Sequence, residues 1–263
     1  MELTYGGQTI ELFSPKHLNA GAPNKIMLKL SGGLDSAALL YLICYHFPDI
    51  EVHLFTGKDL RHSLDTDAAI KIVKWMKRHF KNHKILSHDI FTFDNYAPEI
   101  LDEVKELVDK DPSYYQRYRW PESDSQEESM KHFLAQIAKP RLNNRALDSL
   151  EDKYRFNYDM SGETMNPPTK DMKNLGFYDL SEKQRNDDSH TLTIRKSLYG
   201  YHPFVFINKK FIAGVYKEHN LMKKLFPLAV SCVAPKKSKF TKKIKPCEKC
   251  FWCQERHWAF GQF

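Results

Sequence analysis

The sequence has no apolar run long enough to cross a bilayer. Its longest lies near residues 37–45, and a spanning helix takes about 20 apolar residues. The opening residues, Met1-Glu2-Leu3-Thr4-Tyr5, lack the basic-then-apolar pattern of a secretory signal. The expectation is a soluble, cytoplasmic protein with no membrane partner. In that compartment, five cysteines point to metal or thiol chemistry rather than disulfides. Internal repeats and low-complexity tracts are absent, which argues against a repeat array. The Gly-Lys-Ser/Thr ending of a Walker A loop is missing as well.

The 263 residues suit one large domain, or one domain with a small appendage. Hydrophobic residues make up 41% and charged residues 28%, so a core of useful size can form without a disulfide scaffold. The formal charge of +7 favours anionic ligands such as nucleotides and permits nucleic acid. Much of the excess sits in the lysine run 236–245, which reads either as a solvated loop or as a phosphate or RNA contact.

Apolar patterning predicts an alternation of strands and helices. A short strand is expected at 9–13, then strand 25–30, helix 37–47, strand 51–55, helix 68–80 and strand 84–87. Such alternation predicts a parallel α/β sheet. Residues 98–109, 130–138 and 145–153 read as helices, 155–160 as a strand, 202–207 as a late strand and 211–225 as a helix. Two polar stretches, 111–128 and 170–188, read as insertions. The expected division is a domain over 1–230 and a metal-binding segment over 231–263.

The strongest local signal is Ser31-Gly32-Gly33-Leu34-Asp35-Ser36, placed between a strand and a helix. Two glycines let the backbone approach a ligand. The following helix turns its first N–H groups and its positive dipole end toward the loop, which suits phosphate. Asp35 would repel phosphate unless a divalent cation, Mg²⁺, lay between them. A glycine turn capped by Ser or Asp is the plainer alternative. The hexapeptide resembles the Ser-Gly-Gly-x-Asp-Ser signature of the PP-loop ATP pyrophosphatases. That resemblance implies a Rossmann-like parallel sheet of the PP-loop type and cleavage of ATP between its α and β phosphates. Leu30, Ser31, Gly32, Gly33, Leu34, Asp35, Ser36 and the later Gly162 are the implied ATP-binding positions.

Cys247-Glu248-Lys249-Cys250-Phe251-Trp252-Cys253 forms a C-x2-C-x2-C run, preceded by Cys232. Four thiolates at these spacings can surround a structural Zn²⁺ with no position left for water. An iron–sulfur cluster is the competing occupant. Cys44, inside the apolar helix, reads as a core residue.

A PP-loop near the start and a Cys…C-x2-C-x2-C motif near the end together resemble the 7-cyano-7-deazaguanine synthase family. Arg61-His62 and the following Asp65, Ala68 and Ala69 are similar to its Arg-His-x-x-Glu-x-x-Ala-Ala, with Asp in place of Glu. Pro203 to Lys209 is similar to its Pro-Leu-…-Lys segment. Ser231-Cys232 and Cys253-x-x-Arg256-x-x-Ala259-Phe260 are similar to its zinc site. The family's substrate end departs. Leu60 stands where it has Gln, Pro140 to Arg145 is the nearest match to its Pro-Gly-Arg-Asn loop, and no Tyr-Pro-Asp follows Gly162.

The resemblance implies an ATP-dependent C–N ligase of queuosine biosynthesis. It would adenylylate a 7-carboxy-7-deazaguanine-like carboxylate, release pyrophosphate and add ammonia. Asp35, Ser36, Lys209 and Arg61 are the implied catalytic positions. A tRNA-modifying enzyme (thiolation or lysidine-type) and a protein-modifying or defence-associated member remain alternatives, with tRNA or protein as acceptor. A homodimer is admissible.

Overall fold

The computed structural model describes residues 1–16, 18, 23–60, 64–114, 125–175, 191–195, 198–232, 236–237 and 244–263. The chain forms two compact units. The first holds Met1–Thr56, Leu64–Asp89 and Phe156–Phe263, so the cysteine-rich segment from residue 231 belongs to it. The second holds Gly57–Ser63 and Ile90–Arg155.

The protein is α/β with a Rossmann-like, mainly parallel sheet. Its strands are β3 (Lys25–Lys29), β4 (Glu51–Asp59), β5 (Ile85–Phe93), β6 (Tyr158–Met160), β7 (Thr191–Arg195) and β8 (Leu198–Tyr201). They lie in the order β5-β4-β3-β6-β8-β7. Pairs β3–β4, β3–β6 and β6–β8 are parallel, and β7 closes one edge antiparallel to β8. The Val52 N–H donates to Lys84 O and the Leu60 N–H to Phe93 O, so β5 advances with β4. Ahead of the sheet, β1 (Glu2–Tyr5) and β2 (Gln8–Glu11) make an antiparallel hairpin. The expected strand at 9–13 is thus one arm of a pair.

Helix α1 (Leu34–His46) is apolar on every side, and ten of its residues, Leu34 and Ser36 to Cys44, are buried. It forms the centre of a core with Ile26, Leu28, Leu54, Met160, Tyr201 and Phe211. Cys44 is part of that core, and burial pushes its thiol pKa up. Helix α2 (Leu64–His79) instead buries a single stripe, including Ile72, Val73 and Met76, at helical spacing.

In the second unit, α3 (Pro98–Lys110) and α4 (Gln126–Tyr154) pack through Val104, Val108, Phe133, Leu134 and Ile137. Two helices were expected at 130–138 and 145–153; the structure has one continuous helix with Pro140 inside it. Proline removes one intrahelical bond at a cost of about 3 kcal/mol. Buried residues on both sides of it, among them Phe133, Leu134, Ile137, Ala146, Leu147 and Leu150, hold the helix through that point.

Three further expectations shift. Residues 202–207 form turns rather than a strand, closed by Val205 N–H to His202 O and Ile207 N–H to Phe204 O. Pro203 has no N–H for a ladder. The late helix is α6 (Lys209–Glu218); Asn220, at φ 56°, ends it well short of residue 225. Strand β6 starts at Tyr158 because Arg155, at φ 52°, is the left-handed cap of α4.

Of the two expected insertions, 115–124 and 176–188 lie outside the described residues. Residues 126–128 open α4, and Thr169–Asn174 forms the short helix α5. Within the lysine run, β9 (Lys236–Lys237) pairs with β10 (Ile244–Lys245), and 238–243 lie outside the described residues. Helix α7 (Phe251–Phe260) follows, with Phe260 against Tyr216 of α6 at 5.6 Å between ring centres. Among the described residues, no helix is long and apolar enough to cross a membrane.

Candidate functional site

The sheet reverses its winding direction between β3 and β6: β3 leads to β4 and β5 on one side, and β6 and β8 lie on the other. In open α/β sheets such a point leaves a crevice beyond the carboxyl ends of the strands, where ligands bind. Both segments that border this crevice carry predicted site residues. Ser31 to Ser36 follow β3, and Ser161-Gly162 follow β6.

The loop after β3 is folded on itself. The Ser31 N–H donates to Ser36 Oγ at 3.2 Å, and the two serine hydroxyls lie 3.1 Å apart. The Gly33 N–H donates to Ser31 Oγ at 3.3 Å. Gly32 has φ +78°, and a Cβ there would come 2.2 Å from the Asp65 carbonyl oxygen. Only glycine meets both conditions. The Gly32 carbonyl accepts from the Val230 N–H at 2.9 Å. No side chain caps α1 at Gly33, so its first turn faces the loop with its positive dipole end. Gly162 packs against the other side of this turn. A Cβ on it would stand 2.8 Å from the Asp35 carbonyl carbon and 2.9 Å from the Ser36 nitrogen. The Leu30 and Leu34 side chains are fully buried, so only their backbone can serve a ligand.

Lys209 opens α6, with Asn208 as the cap: its side chain accepts from the Lys210 N–H at 3.0 Å. Gln8 brackets Asn208 by two further bonds, of 3.0 and 2.9 Å. The Lys209 side chain is only 3% exposed. Its Nζ lies 3.1 Å from Asp35 Oδ2 and 2.9 Å from Glu255 Oε2. Glu255, on α7, is fully buried. Lys209 and Asp35, far apart in sequence, therefore meet at the loop. Arg61, with His62 and Ser63, lies outside the described residues. Pro140 to Arg145 sit inside α4 in the second unit.

Sequence reasoning missed several polar groups around this crevice. Lys29 Nζ lies 2.6 Å from the buried Asp159 Oδ2, and the buried Ser161 Oγ lies 2.6 Å from the buried His202 Nδ1. Glu255 was missed because it is an unremarked position between Cys253 and Arg256. The signals nearby, the C-x2-C spacing and the Cys253-x-x-Arg256 match, both pass over it. In the second unit, a cleft of about 810 Å³ borders α3 and the start of α4. Asp102, Glu127 and Glu128 line it against a single lysine, Lys131, a negative balance that disfavours a phosphate ligand.

The four cysteines converge. The sulfurs of Cys232, Cys247, Cys250 and Cys253 lie within 4.8 Å of one another. The Cys247 N–H donates to Cys232 Sγ at 3.2 Å, and the Cys250 N–H to Cys247 Sγ at 3.3 Å. Backbone N–H groups of Lys249 and Cys250 pull the Cys247 pKa down to about 6, while burial pushes that of Cys253 up. A cation at the centre is what would deprotonate all four. Zinc–sulfur bonds of about 2.3 Å place tetrahedral thiolates about 3.8 Å apart, which fits this grouping. An iron–sulfur cluster surrounded by the same residues is the other admissible occupant. The adjoining Arg256 is buried, with its guanidinium 3.9 Å above the Phe226 ring and 3.4 Å from the Ala229 carbonyl.

No family model matches the chain, and no curated protein matches it. Solved structures similar to it include a U34-tRNA thiolase from Methanococcus maripaludis with its [4Fe-4S] cluster. That pair is 16% identical at a TM-score of 0.40, covering 75% of this chain and 57% of the thiolase. An NMN synthetase from Francisella tularensis is 12% identical at 0.44, covering 92% and 79%. An NH3-dependent NAD synthetase from Campylobacter jejuni is 14% identical at 0.41, covering 78% and 68%. At these identities and scores, none of them decides what this chain does.

Proposed function

We propose that this chain is an ATP-dependent enzyme of the PP-loop type, which adenylylates a carboxylate, releases pyrophosphate and adds ammonia to give a C–N bond. The observation that carries the reading is the convergence of Asp35 and Lys209 on the Ser31–Ser36 loop, at the reversal point of the sheet.

The loop supplies N–H groups and two hydroxyls for phosphate oxygens. Lys209 brings a positive charge on which the leaving pyrophosphate can discharge. Asp35 is the side chain that would hold Mg²⁺, whose contribution there is to neutralise charge on the phosphates. In the first step a carboxylate oxygen bonds to the α-phosphorus, and the bond to the β-bridging oxygen breaks with its electrons on pyrophosphate. Ammonia then displaces AMP to leave an amide. Ser31, Gly32, Gly33, Asp35, Ser36, Lys209 and Gly162 are the residues assigned to this step, with Arg61 as a further phosphate contact.

The acceptor we favour is a 7-carboxy-7-deazaguanine-like acid, supported by the Ser231-Cys232 and Cys253-x-x-Arg256 matches at the cysteine centre. In that reading a second ATP-dependent round dehydrates the amide to a nitrile. The cysteines hold a structural zinc, tested by metal analysis: a brown protein with visible absorbance would overturn it in favour of iron–sulfur. The lysine-rich stretch 236–245 supports a second acceptor, tRNA, whose binding would weaken steeply with salt.

The deciding assay is pyrophosphate release from ATP with Mg²⁺ and ammonium, with and without 7-carboxy-7-deazaguanine. Stimulation with an amide or nitrile product supports the favoured acceptor. ATP binding without stimulation keeps the loop chemistry and moves the acceptor to tRNA or protein. Absence of ATP binding overturns the reading.

A further inference from the structure

We infer that Glu255 is a positioning residue, which holds Lys209 at the phosphate loop so that Asp35 can turn to a cation. The inference rests on the assignment of that loop to ATP and Mg²⁺.

One ammonium stands between two carboxylates: Lys209 Nζ is 3.1 Å from Asp35 and 2.9 Å from Glu255. The two carboxylates differ in burial. Asp35 is 21% exposed at the edge of the crevice, whereas Glu255 is sealed in the protein. With Asp35 as its one anionic neighbour, Lys209 would be a buried cation abandoned whenever Asp35 engaged a metal. Abandoning a buried charge is costly. Glu255 removes that cost, because the lysine keeps an ionic partner while Asp35 moves. It also fixes the position of Nζ, so the charge stays where a phosphate arrives.

A second contact points the same way. The Val230 N–H holds the Gly32 carbonyl at 2.9 Å, and Val230 lies just before Cys232. Glu255 lies just after Cys253. The segment that carries the four thiols is therefore joined to the phosphate loop on both flanks, once through backbone and once through Lys209. In this arrangement the cysteine centre braces the loop as well as the chain end.

Glu255→Gln keeps the shape and removes the charge. Lys209 then draws harder on Asp35, and more Mg²⁺ is needed to release it. The experiment is equilibrium binding of ATP to the full chain across a MgCl2 titration, for wild type, Glu255→Gln and Glu255→Asp. The metal content of the cysteine centre and the melting temperature are measured on each. In Glu255→Gln, with that metal retained, the Mg²⁺ concentration for half-maximal ATP binding should rise about tenfold, the weight of one charged hydrogen bond. Glu255→Asp should recover part of the loss. An unchanged Mg²⁺ requirement in Glu255→Gln overturns the inference while leaving the loop assignment intact. Wild type that binds no ATP overturns the loop assignment itself. If Glu255→Gln loses its metal or fails to fold, Glu255→Asp decides by the same measure. If both variants lose the metal, Glu255 is a support of the cysteine centre and the inference falls.

Discussion

Two charged groups in this chain each share one ion between two partners of opposite sign, and they differ in burial. In the first unit Lys209 stands between Asp35 and Glu255, with side-chain exposures of 3%, 21% and 0%. In the second unit Glu103 stands between Arg145 at 2.5 Å and Arg141 at 3.5 Å, with all three side chains 37% exposed or more. Those arginines hold the Glu103 carboxyl below its usual pKa, Arg145 most strongly, yet water and salt screen the interaction. The outer group is a surface contact along a helix pair. The inner one has taken two charges out of water and most of a third, and a fold keeps such an arrangement only where its geometry is well satisfied. It stands beside the glycine-rich turn of Ser31–Ser36, and on the function proposed for that turn it is machinery rather than a stabiliser.

Four substitutions break or sharpen this contrast. Asp35→Ala should lower Mg²⁺-dependent pyrophosphate release by about 100- to 1,000-fold, comparable with the loss of a principal transition-state contact. Its circular dichroism should stay that of the wild type, and retained turnover would sink the role given to Asp35. Lys209→Met leaves two like charges facing each other in the interior. It should cost about 3–5 kcal/mol in urea unfolding, with little change between 0.1 and 1 M NaCl. Gly162→Ala pushes a methyl into the Asp35–Ser36 turn, where the nearest atom is 2.8 Å away. Overpacking of about 1–3 kcal/mol should appear as a loss in ATP affinity of about tenfold or more, read by calorimetry. Glu103→Ala should change stability by less than about 1 kcal/mol, and that difference should vanish at 1 M NaCl. A large, salt-insensitive effect there would erase the distinction drawn between the two groups.

Legibility followed distance along the chain. The strand–loop–helix at Ser31–Ser36 could be read because its whole pattern is contiguous: an apolar strand, two glycines and a helix that is apolar all round. The cysteine grouping could be read because thiolate spacing near one ion is nearly fixed by geometry. Lys209 was reached by motif likeness, whereas its contact with Asp35 came from the fold. The gap read between 138 and 145 misled, because burial on either side of Pro140 outweighs its helix-breaking propensity. The stretch 202–207 misled for the converse reason. An apolar run looked like a strand, yet Pro203 and the turn hydrogen bonds bend it away from the sheet. The pairs Lys29–Asp159 and Ser161–His202 left no local trace, since they join different strands and the loops beyond them.

What the sequence determined by itself is the alternation that builds a parallel α/β sheet, the glycine-rich turn between its first strand and helix, and the grouping of four thiols. Each is set within a short span of chain, the longest gap being the one from Cys232 to Cys247, through backbone conformation, side-chain periodicity and thiol spacing. Tertiary structure alone decided that Gly162 seals the far side of that loop. It alone decided that Lys209 reaches Asp35, and that a buried glutamate beside the cysteines holds the same lysine. Those contacts join residues tens to hundreds of positions apart. Their energies come from burial and from charges excluded from water, and both exist only once the chain has folded.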